Sequence, residues 1–356
     1  MDIEKSYDKV LYIGTHYKGR GGIATVIRSY KELAGEQFHF VSILTSSHKI
    51  GKLLDFLGAV CSTLYYCLFK DIRILHIHTA SYISFYRESI FVWIGKLLGK
   101  QIVLHIHGGD FEKFYHQAPK YVGKVCKQAG VVVAVSDYFK NIFSQLALNP
   151  YVETVYNAVD APLYEKSSGK AAKLQVSFLG MISENKGIYD IIKCLGEHKD
   201  YFEHRIEFHI GGEGENDRLS ALIAKYGISD FVVYHGWMEK SLKHSLLSKT
   251  DIYLQPSYFE SLGIAIIEAM SYAVPIIASN RGGIPELVKD GVNGKLIEPG
   301  QTESLFEALK LLIESEDLRT EMGNQSLAFS RKFTLQAMEQ HILKIYQQVL
   351  SPHAGA

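Results

Sequence analysis

The chain has 356 residues, enough for two domains at roughly 150 residues each, and its 47% hydrophobic and 21% charged residues are an ordinary globular balance. Its 38 basic and 38 acidic side chains cancel, so nothing predicts nucleic-acid binding, which needs a basic face. Cys61, Cys67, Cys126 and Cys194 fit no zinc spacing and lie in apolar stretches; they read as small buried hydrophobes in a reducing compartment. The start, Met-Asp-Ile-Glu-Lys, lacks a signal-peptide core, and the longest uncharged run, Phe56 to Phe69, is shorter than the ~20 apolar residues of a membrane span. The expectation is a soluble, cytoplasmic protein that at most rests on a membrane surface.

In chain order, Lys9 to Gly14 reads as a strand, Gly22 to Leu33 as a helix and Phe38 to Leu44 as a strand. Ile50 to Phe69 has helical apolar spacing. Ile72 to Ile77 and Ile102 to Ile106 are strands with a helix between them, and Val131 to Val135 is another. These apolar runs lack alternation, which predicts a parallel sheet covered on both faces. The polar stretch Asp160 to Lys173 predicts the interdomain linker. Strands then recur at Gln175 to Leu179, Ile206 to Ile210, Val232 to His235, Ile252 to Gln255, Pro275 to Ala278 and Gly294 to Ile297, with helices between them. The fold class is α/β with a doubly wound sheet in each half.

Four features suggest chemistry. Gly19-Arg20-Gly21-Gly22 lies between a strand and a helix, where glycine backbone and a helix N-terminus suit a phosphate. The pattern also fits a dinucleotide fingerprint, but the next strand ends Leu44-Thr45-Ser46-Ser47 with no ribose-binding acid. His76-Ile77-His78 and His105-Ile106-His107 put histidines on one face of neighbouring strands. They could bind zinc, or His76 and His105 are simply buried and hydrogen-bonded; His107 heads His107-Gly108-Gly109 at a strand end. Lys186, in Gly180 to Gly187, could reach a phosphate. Glu260 and Glu268 flank a helix start that Ser261 would cap; eight residues bring Glu268 back near the same side. That helix is too apolar to keep acids without partners. Gly211-Gly212-Glu213-Gly214, His235-Gly236-Trp237 and Arg281-Gly282-Gly283 each follow a strand end as well.

On these residues, and above all on the Glu-x7-Glu pair with Glu268-Ala269-Met270, Gly282-Gly283-Ile284-Pro285-Glu286 and Asn293-Gly294, the sequence resembles retaining glycosyltransferases of family 4. The resemblance implies the GT-B fold: two Rossmann-like domains facing across a cleft, here residues 1–165 and 172–335, with 336–356 returning to the first. It implies that Gly21 and Gly22 approach the donor pyrophosphate, that His107 lies near the transferred sugar and that Lys186 neutralises the pyrophosphate. Glu260 would hold donor-sugar hydroxyls and Glu268 the nucleotide ribose. Backbone around Leu262, Gly263 and Ile264 would bind the distal phosphate, and Gly212, Gly236 and Trp237 would border the nucleotide. One position departs: Met181 stands where the family has an arginine, and Arg20 is the candidate substitute.

The resemblance further implies a metal-independent reaction with no cofactor beyond the donor, a UDP- or GDP-sugar. The acceptor would be a saccharide or lipid-linked saccharide bound by the first domain. The aromatic-rich stretches Ile50 to Phe69 and Tyr82 to Leu98 are either core-packing crossover helices, the preferred reading, or a membrane-facing surface. A sugar-nucleotide epimerase, a non-catalytic sugar-nucleotide scaffold and a dehydrogenase are the competing readings.

Overall fold

The non-alternating apolar runs become interior strands. The computed structural model describes residues 7–19, 21–46, 48–159 and 172–351; Arg20 and most of the predicted linker lie outside them. The chain divides into two units, Met1–Ala158 with Leu335–Ala356, and Val159–Thr334.

The first unit holds β1 (Val10–Gly14), β2 (His39–Ser42), β3 (Ile74–Thr79), β4 (Gln101–Ile106), β5 (Val131–Ala134) and β6 (Val152–Thr154). They form one parallel sheet in the order β2-β1-β3-β4-β5-β6. β1, β3 and β5 are buried at every position, because helices cover both faces. The last helix, Leu335–Leu350, packs Met338, Ile342, Ile345, Tyr346 and Val349 into the same core as Tyr12, Val103 and Val131.

The second unit holds β7 (Leu174–Leu179), β8 (Ile206–Gly211), β9 (Val232–Tyr234), β10 (Ile252–Gln255), β11 (Ile276–Ser279) and β12 (Gly294–Ile297). Their order is β12-β11-β10-β7-β8-β9, again parallel. Helix Ile188–Glu197 buries Ile188, Ile191, Ile192 and Leu195 against Val176, Phe178 and Leu254.

Three expectations need correcting. Ser261 is not the helix cap: the helix runs Ile264–Met270, and Gly263, with φ of +96°, holds the cap position. Cys67, Cys126 and Cys194 are buried, but Cys61 is exposed. Its helix, Lys49–Phe69, is not core-packing: only Gly51, Ala59, Thr63 and Cys67 are buried. That helix is also long and apolar enough, by length and composition alone, to cross a membrane.

Candidate active site

Open α/β sheets bind ligands beyond the carboxyl ends of their strands, where the strand order reverses. In the second unit that point lies between β7 and β10. The loops leaving these two strands are joined: Tyr258 N–H donates to Asn185 O (2.8 Å), and Asn185 Nδ2 donates to Phe259 O (3.3 Å). They bring Lys186 and Glu260 together, with Nζ 2.5 Å from Oε1. Both side chains are largely buried but reach solvent, 23% and 14% exposed, so the pair is accessible to a ligand.

A buried relay fixes the carboxylate. Tyr253 Oη accepts from Leu179 N–H (3.3 Å) and donates to Gln255 Oε1 (2.8 Å). Gln255 Nε2 donates to Ser257 Oγ (2.8 Å), which donates to the same Glu260 oxygen (3.0 Å). Tyr253, Gln255 and Ser257 alternate along β10 and its exit, so they share one face. This relay gives no sequence signal beyond that spacing. It holds Glu260 in one position before any ligand arrives.

Glu268 is paired as well, with Lys243 Nζ against Oε1. Each acid therefore has its own lysine, which answers how this apolar helix region keeps two carboxylates. Lys243, on the helix Lys240–Leu247, was missed because nothing in the sequence links it to Glu268.

The remaining predicted loops gather at the same sheet end. Gly212 N–H donates to Gly236 O (2.7 Å), Gly180 N–H to Gly211 O (2.9 Å) and Gly283 N–H to Glu260 O (2.9 Å). Gly212 and Gly282 show why glycine is needed. Gly212 has φ of +144° and Gly282 of +57°; a Cβ at Gly212 would lie 1.8 Å from Gly180 O, and one at Gly282 would lie 2.1 Å from Glu260 O. Gly282→Ala is expected to cost about 2 kcal/mol of stability through the disfavoured backbone region. It should lower turnover more than stability, because the contact it forces open is the backbone of Glu260. Parallel thermal melts and initial rates check this. Leu262 and Gly263 are buried, Ile264 and Gly236 are half-buried, and Trp237 is exposed. Met181 is 57% exposed, in the loop where the resemblance expects a cation.

In the first unit the order reverses between β1 and β3. The loop after β1 opens a cavity of about 660 Å³ lined by Thr15, His16, Lys18, Gly21, Gly22 and Thr45, among others. The helix Gly22–Ala34 starts at its wall, with Gly21 at φ of +112°. Nothing crowds Gly21 or Gly22 within 4 Å of where a Cβ would stand, so backbone is open to a ligand there.

His107 follows β4, its N–H donating to Thr79 O (2.8 Å). It ends a stack of four imidazoles. His78 Nδ1 lies 2.9 Å from His107 Nε2, His76 Nε2 lies 3.3 Å from His105 Nδ1, and His76 Nδ1 lies 2.7 Å from Tyr346 Oη. His76, His78 and His105 are fully buried. Burial first, then the charge of neighbouring imidazoles, holds all three well below the usual histidine range; burial alone lowers His107 to about 3. One nitrogen from each of His76, His78 and His105 lies within 4.8 Å of the others. Zinc fits poorly there: both nitrogens of His76 are taken up by Tyr346 and His105, and among the described residues no carboxylate or thiolate joins the group to balance a buried dication. The hydrogen-bonded reading of His76 and His105 is what the geometry shows.

With this geometry in place, known proteins give it a context. Residues 162–328 match the family model described as glycosyl transferases group 1. The chain is an enzyme of glycosyltransferase type, and the matched stretch lies in the second unit. It is 24% identical over 281 residues to the alpha-D-kanosaminyltransferase of Streptomyces kanamyceticus, covering 72% of each chain. It is 25% identical over 331 residues to a 41.2 kDa protein of the cps region of Klebsiella pneumoniae, covering 85% of this chain and 87% of that one. Among solved structures it is similar to Anabaena HepE in complex with UDP and glucose, with TM-score 0.75 and 20% identity over 95% of this chain and 99% of the other. That likeness shows the GT-B fold of the transferase.

Proposed function

We propose that this transferase moves a hexose from a nucleoside diphosphate, UDP or GDP, to a saccharide or lipid-linked saccharide acceptor, with retention and without a metal, in surface polysaccharide or glycolipid synthesis. The observation that carries the reading is the Lys186–Glu260 pair at the strand reversal of the group 1 domain, 2.5 Å apart and braced by the buried Tyr253–Gln255–Ser257 relay. The pair gives one preorganised cation and one preorganised anion. Lys186 takes the diphosphate and Glu260 turns to the sugar hydroxyls, while Glu268 holds the ribose.

As the bond from the anomeric carbon to the diphosphate oxygen breaks, its electron pair goes to the diphosphate and charge grows beside Lys186. The acceptor hydroxyl then bonds to the same face of the oxocarbenium-like carbon, and its proton passes to a phosphate oxygen. Position and fixed charge supply the catalysis. His107, kept neutral by burial, serves as an uncharged hydrogen-bonding group near the transferred sugar. A cytoplasmic location, at or near the inner face of the membrane, accords with four free thiols and with a nucleotide-sugar donor.

The test is to screen UDP-, GDP- and ADP-sugars for release of free nucleotide, with and without chelator. Release with one nucleotide class at a rate unchanged by chelator is the expected result. Release that chelator abolishes would overturn the metal-independent part. A second reading, a sugar-nucleotide binder without catalysis, is favoured by Met181 alone; it predicts a thermal shift with a donor and no release with any acceptor.

A further inference from the structure

The helix Lys49–Phe69 places an apolar stripe on the outside of the first unit. Ile50, Leu53, Leu54, Leu57, Cys61, Tyr65 and Leu68 recur at helical spacing along its whole length of about 30 Å, and all are exposed: Ile50 by 73%, Leu54 by 63%, Leu68 by 60%. The opposite side carries the buried Gly51, Ala59, Thr63 and Cys67, so the helix lies along the unit and its outer side meets no protein among the described residues. The neighbouring helix Ile83–Leu97, joined to it by the Phe56 and Phe91 rings (5.9 Å), continues the surface with Ile83 (79% exposed), Tyr86, Ile90 and Leu97 (86%). Monomeric soluble proteins seldom leave apolar patches of this extent uncovered.

Charge identifies what covers it. Lys49, Lys52, Lys70 and Lys96 are exposed around the patch. Within the two helices the acids are withdrawn from it, and Asp71, exposed just past the end of the first, is paired with Arg73 (3.3 Å). Asp55, the sole acid of the first helix, accepts from the backbone N–H groups of Thr45 and Ser46 (2.8 and 2.7 Å), while Glu88 of the second helix is 1% exposed and paired with Arg87. Exposed Tyr65, Tyr82 and Tyr86 add side chains with an apolar body and a polar tip. An apolar stripe with tyrosines and a lysine fringe is the composition of a helix lying in a bilayer interface. A second copy docked on this face would bring these lysines close to one another across a two-fold axis, whereas anionic headgroups complement them.

We propose that this face of the first unit docks on an anionic lipid bilayer, with the helix Lys49–Phe69 lying flat in the headgroup region. Docking is read by binding alone, so it stands or falls separately from the transfer reaction. The full chain is floated on a density gradient with vesicles of phosphatidylcholine, or of phosphatidylcholine mixed with phosphatidylglycerol. The wild type is expected to float with the mixed vesicles, and to release at high salt. Leu54→Ser with Leu68→Ser, both exposed and so harmless to the core, should lower the bound fraction at least roughly tenfold. Lys49→Glu with Lys52→Glu should weaken binding by roughly fivefold or more per site. A wild type that stays unbound with both vesicles overturns the proposal, as does equal binding to both lipids or full binding by the leucine variant. So does a dimer, measured by light scattering, that the leucine variant dissolves.

Discussion

Glu260→Ala should lower transfer by about 10²–10³-fold, the usual cost of removing one preorganised group at a transition state. It should lower stability by only about 1–2 kcal/mol. The asymmetry follows from the surroundings. The Ser257 hydroxyl loses its acceptor, but Gln255 still donates to it (2.8 Å). Lys186, 23% exposed, can rehydrate when its partner leaves. A carboxylate that held two buried cations would behave differently, because each orphaned charge would stay out of water. Glu260→Gln separates the two jobs of the side chain: it can keep the Ser257 hydrogen bond but loses the charge opposite Lys186. The glutamine variant should melt near the wild type and still turn over poorly. Lys186→Ala should also be slow, and the double variant should be no slower than the worse single one, since the two groups act as a unit. Full activity in Glu260→Ala would remove the candidate site from the second unit altogether.

The second unit was legible because its signals are local. Strands such as β10 and β12 run through the residues that the apolar pattern marked, Ile252 to Gln255 and Gly294 to Ile297. The loops with Lys186, Glu260, Gly212 and Gly282 fall at strand ends, where glycine and polar residues interrupt hydrophobic runs. What stayed hidden was pairing across sequence. Lys243 meets Glu268 from 25 positions away, and no periodicity encodes that contact. β6, three residues with Glu153 at its centre, is too short and too polar for a buried-strand pattern and is defined by its partner β5. The helix Lys49–Phe69 misled for a different reason. Its apolar residues do keep helical spacing, but spacing cannot say which side of a helix is covered. Small residues (Gly51, Ala59, Thr63) form the packed side, while the large ones face outward.

Acidification should weaken the first unit by about 3 kcal/mol between pH 6.5 and 5.5, counting only His76, His78 and His105 at about 1 kcal/mol each. The sign follows from their lowered pKa values in the folded chain. A histidine that is depressed on folding is neutral in both states above the unfolded value near 6.5, so its contribution is intact there. Below that value the unfolded chain binds protons that the folded chain refuses, and stability falls with pH. The folded state has little means to accept them. Each ring already shares one nitrogen with another imidazole, and His78 Nε2 and His105 Nε2 are buried with no hydrogen-bond partner among the described residues. A proton added at either site would be a buried charge without an acceptor. Glu88 works in the opposite sense, since burial raises its carboxyl, but it is one group against three. Urea titrations at fixed ionic strength and several pH values read the effect directly. His105→Gln should flatten the slope by close to one proton, whatever it does to stability at pH 7.5. A transition that does not move between pH 7 and 5.5 would mean that the stack takes up protons in the folded state.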